Sequence, residues 1–201
     1  MTNQRVLCAL LAASTFAIAG PAEAVTKFQA IIENEQEVAN PPVPEQGTGG
    51  MGVFELNDAM TALSYDITLF GLDIDGLQTP GNANDNANRF HIHAGPAGTN
   101  GGIQFGMKDP NHDTDDLVIN PVTGRITGVW DGTEGNGTTL AAQLANLLNN
   151  GLYFNVHTTD YPGGEVRGQI IRIPEPVACV LGLLSLGALQ LARRHLAKRR
   201  R

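Results

Sequence analysis

Residues 154–170 read FNVHTTDYPGGEVRGQI, two strand-like runs on either side of a tight turn. From 152 to 158 the apolar Leu152, Phe154 and Val156 alternate with Tyr153, Asn155 and His157. That two-residue period belongs to a strand with one face in a core. Pro162-Gly163-Gly164 is turn chemistry, because proline presets φ and glycine accepts positive φ without steric cost. Beyond it Glu165 and Arg167 share a strand face and can pair with each other or with adjacent strands. Gly168 marks close packing or a bulge. Charged residues flanking a turn usually fix sheet edges, so Gly163, Gly164, Glu165, Arg167 and Gly168 read as a structural motif.

The same patterning extends toward the N-terminus and a little beyond the turn. Runs at 25–33, 51–57, 61–70, 89–94, 116–120, 125–130 and 165–171 join 152–158 as strand candidates. Residues 57–60 fit a hairpin turn, and Pro/Gly/Asn-rich loops are expected at 40–50, 71–88, 95–115 and 120–124. One helix interrupts: Leu140, Leu144, Leu147 and Leu148 recur at helical spacing, Thr138 or Thr139 can cap the start, and Gly151 can end it. The chain's 24 Gly and 11 Pro among 201 residues suit a turn-rich β protein. With aromatics at 5%, the core must come mostly from Val, Ile, Leu and Ala. The expected fold is mainly β, an immunoglobulin-like antiparallel β-sandwich with one short helix covering an end.

His91-Ile92-His93 is the sharpest chemical feature. On a strand, Phe90 and Ile92 face the core and both imidazoles share the opposite face. Two imidazoles so placed can reach one metal ion, with copper or zinc the natural candidates. His157 joins them if its strand is a neighbour. The alternative is a set of partly exposed histidines hydrogen-bonded to loop backbone. Asp109, Asn111, Asp113 and Asp115 alternate as in a calcium loop, but Thr114 replaces the glycine and Asn120 the final glutamate of an EF-hand. That loop, or 82–88 with Asp85, can hold calcium only weakly.

The ends differ from the middle. Residues 1–24 place Arg5 before an apolar run at 6–19 and an Ala22-Glu23-Ala24 cleavage site, the pattern of a secretory signal peptide cut before Val25. At the other end Pro174-Glu175-Pro176 precedes an apolar run at 177–192 and a basic terminus with Arg193, Arg194, Lys198 and Arg199. Those 16 apolar residues reach roughly 24 Å as a helix, just short of a bilayer core unless basic side chains snorkel. The basic end is expected to stay cytoplasmic. The remaining 25–173 carries six basic and 18 acidic residues, a net charge of −12 against −7 for the whole chain. Phosphate contacts need a basic footprint, so nucleic acid is excluded as a partner and cations are favoured. Cys8 and Cys179 both fall in the ends, leaving 25–173 without disulfide or thiolate chemistry.

The tripartite tail at 174–201 resembles the PEP-CTERM sorting signal of Gram-negative bacteria. The resemblance implies recognition and processing by an exosortase in the inner membrane, and association with the cell surface and exopolysaccharide. Phe28-Gln29-Ala30, HIHAGPAGTNGG at 91–102 and FNVHTTDYPGGEVRGQI at 154–170 together resemble the CHRD domain, the module named after chordin. That resemblance spans 28–170 and implies an extracellular β-sandwich without established catalytic activity. No Gly-x-Ser-x-Gly elbow or phosphate-cradling loop appears. The leading expectation is an exported, surface- or matrix-directed module engaging extracellular polymers or proteins. A metalloenzyme is the alternative, because His-x-His on a β-sandwich strand resembles copper-zinc superoxide dismutase, although that enzyme's disulfide and full ligand set are missing.

Overall fold

The computed structural model describes residues 25–39, 42–44 and 47–174. The expected leader at 1–24, the apolar run at 177–192 and the expected sorting residues Glu175, Pro176, Arg193 and Arg194 lie outside these; Pro174 is the last residue within them. No helix among the described residues is long and apolar enough to cross a membrane.

Ten strands form among the described residues: β1 (Thr26–Glu33), β2 (Gly49–Leu56), β3 (Ala62–Phe70), β4 (Ala87–Ala94), β5 (Ile103–Lys108), β6 (Val118–Asn120), β7 (Arg125–Asp131), β8 (Leu152–Thr158), β9 (Val166–Gln169) and β10 (Ile171–Arg172). They hydrogen-bond antiparallel in the order β5-β4-β8-β9-β1-β2-β3-β7-β6, with β10 also on β1. The mainly β, antiparallel expectation holds, but the two separate sheets of a sandwich do not. β9 and β10 pair with one edge of β1 and β2 with the other, so one sheet runs through what a sandwich would divide.

Strand twist curls that sheet until its ends face each other. Phe105 of β5 stacks on Trp130 of β7 with ring centroids 4.9 Å apart, and meets Tyr65 of β3 edge-on at 6.2 Å. Inside this half-barrel lie Phe28, Phe54, Ile67, Phe90, Ile92 and Phe154, all fully buried. Each such side chain contributes roughly 1.5–3 kcal/mol by leaving water. Across the seam the Asn136 N–H donates to the Gln104 carbonyl at 2.7 Å.

β5 lies inside the stretch expected to be loop. Its alternation is short and is broken by Gly106, a residue that weakens strand propensity. The glycine is there for room: a Cβ would sit 2.0 Å from the Pro110 carbonyl oxygen. The segment after β5 folds back across that point, and both His112 and Asp113 donate their N–H to the Gly106 carbonyl. The candidate strands at 116–120 and 165–171 are shorter than expected, beginning at Val118 and Val166; Ile170 separates β9 from β10.

Helix α1 (Leu140–Leu148) forms as its leucine spacing predicts, with Leu140 and Leu147 buried and Leu144 and Leu148 packed against the core. The Thr139 hydroxyl accepts from the Ala142 N–H and caps the start. At the other end Asn150, not Gly151, takes the left-handed conformation (φ 57°), while the Gly151 N–H closes onto the Asn146 carbonyl at 2.7 Å.

Candidate functional site

β4 and β8 are neighbours, which the sequence pattern alone did not establish. Their register sets His91 opposite Asn155, His93 opposite Tyr153 and Arg89 opposite His157. Residues opposite each other in an antiparallel pair share a face. Phe90, Ile92, Phe154 and Val156 therefore enter the core together, and the histidines gather on the other side.

That other side is also covered. β8 is buried along its whole length, and His91, His93 and His157 are only 1%, 8% and 7% exposed. The expectation of partly exposed histidines is thus corrected, although backbone contacts do form. His91 Nε2 lies 2.8 Å from the Asp109 carbonyl oxygen, His93 Nδ1 3.0 Å from that of Gly101, and His157 Nδ1 3.0 Å from that of Pro162. Three different loops supply the three acceptors. Gly101 can do so because its Cα passes against β4: a Cβ would lie 1.5 Å from the Ala94 carbonyl oxygen.

A carbonyl only accepts, so the facing ring nitrogen carries the proton. The other nitrogen of each neutral ring is then a bare lone pair: His91 Nδ1, His93 Nε2 and His157 Nε2. One nitrogen from each ring lies within 4.8 Å of the others, and His91 Nδ1 is 3.3 Å from His157 Nε2. His93 Nε2 is buried without a hydrogen-bond partner. Burial opposes the charged imidazolium and lowers His93 and His157 to about 4, with His91 shifted in the same direction. At neutral pH the rings are neutral. Such a set can hold a metal ion.

Around the histidines runs a fixed polar layer. Tyr153 stacks on His93 (centroids 5.0 Å, planes 10° apart), and the Arg167 guanidinium lies 3.4 Å from the Tyr153 ring centroid. Arg167 donates to the carbonyls of Thr99 (2.9 Å) and Pro96 (3.1 Å) and to Gln169 Oε1 (3.2 Å), clamping the loop that carries Gly101. Arg167 and Glu165 do not pair with each other. Glu165 instead accepts the Thr158 hydroxyl at 2.6 Å, and its carbonyl accepts from Asn34 Nδ2 at 2.9 Å. Both are buried, so the edge-fixing expectation gives way to an interior role. Gly164 (φ 127°) provides the turn's left-handed backbone, and Gly163 has open space. Gly168 is tightly packed, 2.7 Å from an Ile32 side-chain atom at its Cβ position.

Glu37 was missed, because it follows β1 where no periodicity marks a role. It accepts a hydrogen bond from Asn155 Nδ2, and burial pushes its carboxyl up to about 7. The expected calcium alternation is only partly assembled. Asp113, Asp115 and Asp116 cluster, but Asp109 lends its carbonyl to His91 instead. Asp113 is itself engaged, accepting from the Tyr65 hydroxyl and from the N–H groups of Asp116 and Leu117. In the 82–88 loop Asp85 accepts the Thr79 hydroxyl at 2.8 Å.

The family model described as the CHRD domain matches residues 28–170. The chain belongs to the CHRD family. No curated protein and no solved structure matches it. In this CHRD domain two of the three strings that carry the resemblance, 91–102 and 154–170, meet across β4 and β8, and most of their polar residues line the layer described above. CHRD membership suggests a non-catalytic extracellular module.

Proposed function

We propose that this protein is an exported CHRD module, directed to the cell surface or matrix of a Gram-negative bacterium, that binds other extracellular components without catalysing a reaction. The observation that carries the reading is the extent of the family match, 28–170, which fills the span between a leader-like start and a tripartite tail. On this reading residues 1–24 route the chain through the export machinery. The tail then holds it at the inner membrane until an exosortase-type enzyme processes it near Pro174-Glu175-Pro176. A net charge of −12 over 25–173 favours partners that are cationic or bridged by cations. A groove of about 650 Å³ lined by Val38, Pro42, Pro44, Asn100, Tyr161 and Pro162 lies beside the clamped loop, a size suited to one segment of an extended polymer or peptide.

Intact-mass measurement on protein recovered from fractionated cells tests the address. Mature protein should begin at Val25, lack Arg193 and Arg194, and occur in the surface or matrix fraction. Recovery with residues 1–24 and the basic terminus intact in the cytosol would overturn the reading. Co-sedimentation of the recovered protein with isolated matrix tests the binding half, and failure to co-sediment counts against it.

A further inference from the structure

We propose that His91 Nδ1, His93 Nε2 and His157 Nε2 bind a single first-row transition-metal ion of imidazole preference, zinc or copper. The inference goes beyond the module reading and does not depend on where the protein is exported.

The proton positions carry it. In each ring one nitrogen faces a main-chain carbonyl at 2.8–3.0 Å, and each carbonyl comes from a different loop. Those contacts commit three N–H groups outward and leave three lone pairs facing inward. His91 Nδ1 and His157 Nε2 then stand 3.3 Å apart as two acceptors with no proton between them. That contact is repulsive for neutral rings and attractive once a cation bridges it. The spacing of that pair also fits: zinc–imidazole bonds of about 2.0–2.1 Å at a tetrahedral angle give a nitrogen–nitrogen edge of about 3.3–3.4 Å. His93 Nε2 completes the set as a buried acceptor that lacks a hydrogen-bond partner.

The donor chemistry selects the class of ion. The ligand set contains neither carboxylate nor thiolate, which disfavours calcium and magnesium and suits zinc or copper. Metal-bound imidazoles nearly always donate their second N–H to a carbonyl, carboxylate or water, which fixes the tautomer and orients the ring. Here all three do so. Three protein nitrogens leave a tetrahedral ion one position for water or a small ligand. Tyr153, stacked on His93 and held by Arg167, keeps that ring in place.

The test uses purified full-length protein stripped with a chelator, then titrated separately with Zn²⁺ and Cu²⁺. One ion should bind per folded chain and raise the melting temperature, and competition between the two metals identifies the preferred one. In the unmutated protein, ¹⁵N-resolved imidazole spectra should show His91 Nδ1, His93 Nε2 and His157 Nε2 moving on titration while the opposite nitrogens stay protonated. His93→Ala and His157→Ala should each weaken binding by more than the roughly 10–100-fold lost when only an outer hydrogen bond to a ligand is removed. His112→Gln should keep stoichiometric binding. The proposal fails if neither metal binds saturably to folded protein, or if binding saturates without moving those three nitrogens. The spectra need no mutant, so a variant that misfolds leaves the proposal open to refutation.

Discussion

Arg167→Ala removes the guanidinium of a residue that is 1% exposed, a group that ties β9 to the loop over the histidines. Its three shortest hydrogen bonds go to the carbonyls of Thr99 and Pro96 and to Gln169 Oε1. Bonds to a charged donor are worth about 1.5–3 kcal/mol each. Stacking on Tyr153 adds about 1–2 kcal/mol in a desolvated setting. Against this, the arginine regains several kcal/mol of hydration on unfolding. A net destabilisation of about 3–4 kcal/mol results, at least a fifth of the roughly 5–15 kcal/mol that holds a typical domain together. At about 2–4 °C per kcal/mol for a chain of this size, the melting temperature falls by about 6–16 °C. Arg167→Lys keeps the charge but loses the planar fork and the flat face, so it should lose about half as much. Thermal melts of metal-free protein measure both variants, and hydrogen exchange at 96–101 should speed up alongside. An Arg167→Ala melt within about 2 °C of the parent, the scale of an ordinary surface substitution, would refute the clamp.

Glu37 predicts a pH effect of definite sign. With its folded pKa raised from 4.5 to about 7, the native state holds a proton that the unfolded state has released, so Glu37 costs stability as pH rises from about 4.5 to 7. Asn155, Arg167 and the Val38 N–H face the carboxyl and oppose the shift, but burial outweighs them. The melting-temperature advantage of Glu37→Gln over the parent should therefore grow between pH 5 and 8; a gap that stays constant contradicts the assignment. Gly101→Ala forces a methyl group to 1.5 Å from the Ala94 carbonyl oxygen, so the loop must move. Urea denaturation should show a loss of about 3 kcal/mol or more, and parental stability would rule out the close approach. Tyr65→Phe strips the hydroxyl that donates to buried Asp113 and should cost about 1–3 kcal/mol, an idea abandoned if the denaturation midpoint does not move.

The strand pattern and the α1 leucines were legible because each depends on local periodicity. β5 was not, because Gly106 breaks its alternation for a reason that lies in a contact with Pro110. The faces of His91, His93 and His157 followed from the two-residue period, whereas their meeting depended on the pairing of β4 with β8. Glu165 and Arg167 misled for a related reason. Two charges on one strand face look like surface partners, but the curled sheet and its loops bury both and assign them different acceptors.

By itself the sequence determined a mainly β, cysteine-free middle, acidic overall, between two ends of different composition, and it put each histidine on the polar side of its strand. These follow from composition and from the alternation of side chains along an extended backbone. Only the tertiary structure decided that one curled sheet replaces two. It also decided that loops cover the polar face and that three carbonyls, from Gly101, Asp109 and Pro162, turn three imidazoles inward. Strand order and loop closure join residues far apart in the chain, 66 positions at His91 and His157 and 131 at Asn34 and Glu165. The period of a strand says which way a side chain points, and only the pairing says what it meets there.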